Sequence, residues 1–122
     1  MERGGVFALA GVRGGGEFGE PWHQAGIRTN RQNAVDDYIA AAQWLAKSGY
    51  TRAGRIVANG GSLSGALPAA ALNQKPDLFG ASVIDFGALD LLRYQNHTGA
   101  LMWKAELGDV TVTEQFEALR RY

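Results

Sequence analysis

Ser62 is the side chain of this sequence best placed for nucleophilic chemistry. It lies in the run Gly60-Gly61-Ser62-Leu63-Ser64, between the short apolar segment 55–58 and the Ala/Leu-rich segment 66–72. Small residues on either side of a serine allow the sharp strand-to-helix turn of a nucleophile elbow, which exposes the serine Oγ. The match to G-x-S-x-G is incomplete, because Ser64 stands where the final glycine belongs. A Gly/Ser-rich loop without chemistry is the alternative interpretation.

Asp85, Asp90 and His97 give this serine a candidate orienting acid and base. Either aspartate followed by His97 completes the chain order Ser…Asp…His of a hydrolytic triad. A triad also requires the imidazole and the carboxylate to converge on the serine, and His97 lies in a polar run typical of a surface loop. His23 precedes the serine, and we interpret it as a hydrogen-bonded structural histidine of a long loop.

A glycine-rich run suggests a different class of site. Gly14, Gly16 and Gly19 have the spacing G-x-G-x-x-G, and Asp36 and Asp37 follow them at about the twenty-residue distance of a dinucleotide-binding fingerprint. In that fingerprint the last glycine opens a helix whose N-terminus holds pyrophosphate. Here helical periodicity begins only near residue 30, which argues against this alternative.

The elements that would position Ser62 alternate between strands and helices. Apolar runs predict three strands, and residues with helical spacing or composition predict helices between and after them. The predicted strands are Val6–Val12, Arg55–Ala58 and Ala81–Phe86, and the predicted helices are residues 30–47, 66–74, one from Leu89 to Tyr94 and Thr113–Arg120. Strands separated by helices pair in parallel through right-handed crossovers. The pattern therefore predicts an α/β fold with three parallel strands, crossover helices and the elbow.

The composition limits the partners of such a domain. The 122 residues suffice for one domain, and 12 basic residues balance 12 acidic ones, so charge favours neither nucleic acid nor an acidic membrane. The absence of cysteine removes thiolate metal sites, and we expect no metal and no cofactor. The N-terminal residues lack the long apolar core of a signal peptide, so we expect a cytoplasmic protein.

Several separated motifs resemble the prolyl oligopeptidase family of serine peptidases. They occur in the family's order between about Gly4 and Gly108, and they are residues 13–23 (RGGGEFGEPWH), 33–38 (NAVDDY), 60–62 (GGS) and 73–80 (NQKPDLFG). The resemblance implies an α/β-hydrolase catalytic domain that cleaves proline-containing oligopeptides after proline. It places Ser62 on the nucleophile, the backbone N–H of Leu63 on an oxyanion donor, and Trp103 on the tryptophan that stacks against the substrate proline.

The chain also departs from the family's pattern. Leu63 and Ser64 replace the family's Asn and Gly, Leu107 replaces a pocket tyrosine, and Pro68 is expected to strain the start of the helix. The family's catalytic Asp and His lie beyond Tyr122, and its β-propeller and first sheet strands have no counterpart here. We therefore expect residues 1–122 to be a partial catalytic domain, inactive in isolation. The alternatives are a non-catalytic remnant that self-associates through exposed sheet edges, or a fragment completed by another chain.

Overall fold

Two parallel strands joined by a helix form the centre of the structure, a computed structural model that describes residues 4–97 and 99–122. The strands are β1 (Ile56–Gly61) and β2 (Phe79–Asp85), and the helices are α1 (Glu20–Gln24), α2 (Arg31–Lys47), α3 (Ala66–Gln74), α4 (Lys104–Leu107) and α5 (Thr113–Leu119). Short 3₁₀ helices cover Arg28–Asn30, Ser62–Gly65, Pro76–Leu78, Tyr94–Asn96 and Ala100–Trp103. In this described part, no helix is long and apolar enough to cross a membrane.

The β1–α3–β2 unit brings two loops to one edge of the sheet. Parallel strands need a crossover connection, and α3 supplies it. The register pairs Ile56 with Phe79 at one end and Gly61 with Asp85 at the other. Both strands therefore end side by side, and the residues that follow them emerge at the same carboxyl edge, where open α/β sheets place their ligand sites.

The main core lies between one face of this sheet and two helices. Helices α2 and α3 pack on Ala58 of β1 and Phe79 of β2, and the buried set is Val35, Ile39, Ala42, Ala58, Ala70, Ala71 and Phe79. Val57 and Val83 face the other side and are 57% and 48% exposed. Within residues 4–97 and 99–122 the sheet is therefore covered on one face only.

A second core lies beneath the carboxyl edge of the sheet. We call it the Tyr94 cluster, and its members are Ala66, Leu91, Tyr94, Ala100, Leu107 and Leu119. The Tyr94 hydroxyl donates a hydrogen bond of 2.6 Å to the carbonyl oxygen of Gly108, which satisfies the buried phenol. This cluster links the start of α3 to the chain that follows β2.

The α/β prediction holds, but the predicted first strand is wrong. Residues 6–12 form no strand, and the next residue, Arg13, makes only an isolated bridge to Gly15. Val6, Phe7 and Leu9 are exposed, and Leu9 is 89% exposed. A strand requires a hydrogen-bonded neighbour, and no described strand pairs with this segment. In the part of the chain that the structure describes, the sheet has two strands where the apolar runs predicted three.

The helix predicted at Leu89–Tyr94 is also wrong. Asp90 accepts hydrogen bonds from the Arg93 side chain at 2.7 Å and from the Arg93 backbone N–H at 3.3 Å, which closes a turn. That turn directs Leu91 and Tyr94 into the Tyr94 cluster. Burial of Leu91 and Tyr94 therefore favours a turn here, although the spacing of apolar residues predicted a helix.

Candidate active site

Ser62 lies at a sharp turn between β1 and α3. It is exposed, it is the first residue after the strand, and its φ of 52° is in the left-handed region. This conformation costs an L-residue roughly 1–2 kcal/mol. Strained backbone of this kind is a feature of the nucleophile elbow, because it holds the serine Oγ out of the turn. The local geometry predicted from the glycines and serines is therefore present.

Close backbone packing at the elbow depends on a glycine that the motif does not include. A Cβ on Gly65 would lie 2.8 Å from the Cα of Gly87 and 2.9 Å from Cγ2 of Ile84. Ser64, in the motif's glycine position, donates its hydroxyl to the carbonyl oxygen of Gly61 at 2.8 Å. Gly65 thus provides the close approach one residue later. Its position in the small-residue run was the signal available in the sequence.

Pro68 fits the start of α3 without the strain expected from the sequence. It is the third residue of the helix, where backbone N–H groups have no partner within the helix, so no helical hydrogen bond is lost. Its ring is buried against the strand, and a Cβ on Gly60 would lie 2.9 Å from Pro68 Cγ. The proline therefore packs beneath the strand that leads to Ser62.

Two contacts hold the backbone immediately after the Ser62 Cα. The N–H of Ala88, which follows β2, donates to the carbonyl oxygen of Ser62 at 2.8 Å. The Arg31 guanidinium donates to the carbonyl oxygen of Leu63 at 3.4 Å. Arg31 is 6% exposed, and this burial lowers the pKa of its guanidinium. A buried positive charge therefore lies next to the peptide group between Leu63 and Ser64.

Trp103 and Leu63 pack against the same cluster. Trp103 ends the 3₁₀ helix Ala100–Trp103 and is partly exposed, and the Leu63 side chain also lies against the Tyr94 cluster. Leu107, by contrast, is fully buried within that cluster. Leu63, the residue after Ser62, and Trp103, the predicted substrate-binding residue, therefore pack against the same buried cluster. Leu107 is a core residue of that cluster.

Neither His23 nor His97 is hydrogen-bonded to Ser62 Oγ in the described part of the chain. His23 Nε2 lies 3.0 Å and 3.1 Å from the two carboxylate oxygens of Glu106, as expected of a structural histidine. Asp90, the candidate orienting acid, is bound to Arg93, and this hydrogen bond lowers its pKa. Among residues 4–97 and 99–122, no hydrogen bond joins Ser62 Oγ to an imidazole. The internal triad with His97 is not assembled.

A helix, α1, begins directly after Gly19, earlier than the start near residue 30 that the sequence predicted, but the side chains around the glycine-rich run do not favour a phosphate. Asp37, which the dinucleotide alternative would place on a ribose, accepts the Arg13 backbone N–H at 2.9 Å and two guanidinium hydrogen bonds at 2.8 Å and 2.6 Å. The Arg13 side-chain bond lowers the Asp37 pKa. The Glu17 carboxylate packs directly on Gly15, where it would repel a phosphate. No three His, Asp or Glu side chains of the described chain are grouped to hold a metal.

Comparisons with known proteins show the family of this chain. A family model described as the prolyl oligopeptidase family matches residues 1–122. The prolyl endopeptidase of Dictyostelium discoideum is 42% identical over 97% of this chain and 16% of that protein, and prolyl oligopeptidase A of Amanita bisporigera is 44% identical over 93% of this chain and 15% of that protein. The chain therefore spans about a sixth of the length of these relatives.

Solved structures show the same likeness. A structure from a study of two prolyl endopeptidases superimposes with a TM-score of 0.88 at 41% identity, over 91% of this chain and 16% of that one. Prolyl oligopeptidase B from Galerina marginata superimposes with a TM-score of 0.84 at 41% identity, over 88% of this chain and 16% of that one. The same enzyme has been solved with a 25-residue macrocyclization substrate bound.

Proposed function

Because the chain belongs to the prolyl oligopeptidase family and has the fold of part of its α/β-hydrolase catalytic domain, we propose that it is a segment of a serine peptidase that cleaves after proline. Ser62 is the nucleophile of this proposal. The observation that carries it is the left-handed φ of 52° at an exposed serine between a strand and a helix. A Gly/Ser-rich loop without chemistry has no need of that strain.

In the proposed reaction the Ser62 hydroxyl attacks the carbonyl carbon of the substrate's proline residue. The proton from Oγ passes to a histidine, which gives it to the leaving amine as the C–N bond breaks and an acyl-enzyme forms on Ser62. Water then hydrolyses this ester and regenerates the serine. The Leu63 N–H donates to the oxyanion as it forms. A serine hydroxyl is a weak nucleophile without such a base. We assign the base and its aspartate to another part of a longer chain or to a complementing chain.

Trp103 is the proposed apolar surface against which the substrate proline packs, and we call this surface the proline wall. An indole face packs well against the flat pyrrolidine ring, and aromatic pairs of this kind add roughly 0.5–1.5 kcal/mol beyond their burial. Trp103 is partly exposed and shares the Tyr94 cluster with Leu63, which supports a place beside the elbow. Peptide binding by the Galerina marginata relative supports the same substrate class.

A chimeric enzyme tests Ser62 directly. The 118 matching residues of the Dictyostelium discoideum prolyl endopeptidase are replaced by this chain, and the product is incubated with a fluorophosphonate probe. We expect mass spectrometry to find the label on Ser62 in the chimera. Neither the Ser62→Ala chimera nor the isolated chain should carry a label at position 62. A folded chimera without label would refute the assignment of Ser62. Rapid, stoichiometric labelling of the isolated chain would show that it supplies its own base.

Trp103→Ala in the chimera tests the proline wall. Loss of one apolar pocket contact should lower kcat/KM for a proline peptide by about ten- to two-hundredfold, or roughly 1–3 kcal/mol. The matched alanine peptide never fills the pocket and should lose less. Trp44→Ala is the control, because Trp44 is an exposed tryptophan on α2. An equal loss for both peptides would make Trp103 structural.

A non-catalytic, self-associating fragment is the second candidate. Two exposed apolar surfaces favour it. One is the sheet face that carries Val57 and Val83, which no other described residues cover, and the other is the group of exposed apolar side chains near the N-terminus. Such surfaces promote association between copies. Labelling of Ser62 in the chimera separates this candidate from the peptidase.

A further inference from the structure

The segment that carries Trp103 is attached to a distant part of the chain by two side chains. His23, on α1, contacts both carboxylate oxygens of Glu106 at 3.0 Å and 3.1 Å. Arg28 donates from Nε to the carbonyl oxygen of Ala105 at 2.8 Å. Their acceptors are the second and third residues after Trp103. We call these two contacts the His23/Arg28 brace.

Two features indicate that the brace has a specific role. Arg28 has a φ of 50°, which is unfavourable for a residue with a side chain and persists only where its surroundings hold it. The His23–Glu106 contact is half-shielded, with side-chain exposures of 28% and 31%, so water weakens it less than it weakens a surface pair. Glu20 adds a second carboxylate, 3.7 Å from His23 Nδ1. Hydrogen bonds between the two segments are thus made despite backbone strain.

We propose that His23 and Arg28 are positioning residues for Trp103, and that the brace sets the preference for proline. The inference rests on the proposed function, because it takes Trp103 to be the proline wall. Packing against the Tyr94 cluster holds Trp103 from one side. The brace fixes the following turn, α4, and therefore the direction in which the indole leaves the backbone.

Hydrogen exchange on the isolated chain tests the brace without requiring activity. The reporter is the peptide of residues 100–108, in which the Gly108 N–H donates to the carbonyl oxygen of Lys104. In His23→Ala and in Arg28→Ala we expect this peptide to exchange about fivefold faster, the factor expected for loss of one hydrogen bond of ordinary net strength. Residues 66–74 of α3 should not change, nor should either peptide in the control Arg52→Ala, an exposed arginine.

Two results of this experiment would overturn the proposal. One is unchanged exchange of residues 100–108 in both variants. The other is equal acceleration in α3, because His23 and Arg28 would then stabilise the whole fold. Arg28→Ala removes an exposed side chain, so it keeps the test decisive if His23→Ala does not fold.

Specificity in the chimera provides the second readout. We expect His23→Ala to lower the ratio of kcat/KM for proline over alanine peptides by about fivefold, and His23→Gln, which retains an N–H donor, to keep most of it. Added to Trp103→Ala, His23→Ala should cause no further fall in this ratio, because it acts through the indole. A further fall, or an equal loss for both peptides in the single variant, would overturn the proposal. Absence of label on Ser62 would instead refute the proposed function and leave the exchange result standing.

Discussion

Replacing Ser62 by glycine should stabilise the chain relative to replacing it by alanine. Both variants lose the hydroxyl, but only alanine keeps a Cβ at a φ of 52°. Relief of the left-handed conformation is worth about 1–2 kcal/mol, and the greater freedom of glycine in the unfolded chain offsets about 0.4–1 kcal/mol of it. From the middles of these two ranges, we expect Ser62→Gly to have a free energy of unfolding about 0.8 kcal/mol above that of Ser62→Ala.

Urea denaturation measures this difference as a shift in midpoint. With an m-value of about 1.5 kcal/mol/M the shift is roughly 0.5 M urea. Ser48 supplies the matched control, because it is exposed and has an ordinary φ of −82°. There the order should reverse, with glycine less stable than alanine by about 0.4–1 kcal/mol. Each pair is compared at several protein concentrations, since association shifts apparent stability. If Ser62→Gly were no more stable than Ser62→Ala, the elbow would not be strained and the observation behind the proposed nucleophile would fail.

Three further predictions concern the scaffold. Asp37 has a lowered pKa in the folded chain, so its contribution to the free energy of unfolding is complete above about pH 4 and is lost as the pH falls through the folded-state pKa. Asp37→Asn should therefore flatten the acid side of a plot of unfolding free energy against pH. An unchanged slope would contradict this. Gly65→Ala should cost about 1–3 kcal/mol by forcing a Cβ against Gly87 backbone, whereas Gly16→Ala, in open space, should change the free energy of unfolding by less than about 0.5 kcal/mol in the same urea titration. Sedimentation velocity over a concentration series should show association that Val83→Lys weakens, and a single monomeric species at every concentration would refute this.

The parts of the fold that depend on local pattern were predictable. The strand, turn and helix around Ser62 follow from an apolar run, small residues and an Ala/Leu-rich segment, and β2 was placed within two residues at its N-terminal end. Residues 6–12 have the same apolar character as a buried strand and yet form none, because a strand requires a neighbour that local sequence does not reveal.

The candidate site was likewise predictable only where it depends on local sequence. Ser62 was recognisable from its neighbours, and the glycine after Ser64 was available as a signal for close packing. The left-handed φ at Arg28 and the contact between His23 and Glu106 were not predictable, because each depends on residues distant in sequence. Motif spacing predicts which side chains could do chemistry, but not which ones hold them in place.

The His23–Glu106 contact also has a consequence for the order of folding. It joins residues 83 positions apart, whereas the contact of Arg13 with Asp37 joins residues 24 apart. Closing the longer loop costs about 1 kcal/mol more chain entropy when nothing else is formed. The β1–α3–β2 unit lies within this loop, and its formation shortens the free chain between His23 and Glu106. The contact should therefore form after that unit and be absent from the folding transition state, which corresponds to a folding φ-value (a ratio of free-energy changes, not a backbone angle) near zero. Substitutions at His23 should accelerate unfolding and leave the folding rate almost unchanged.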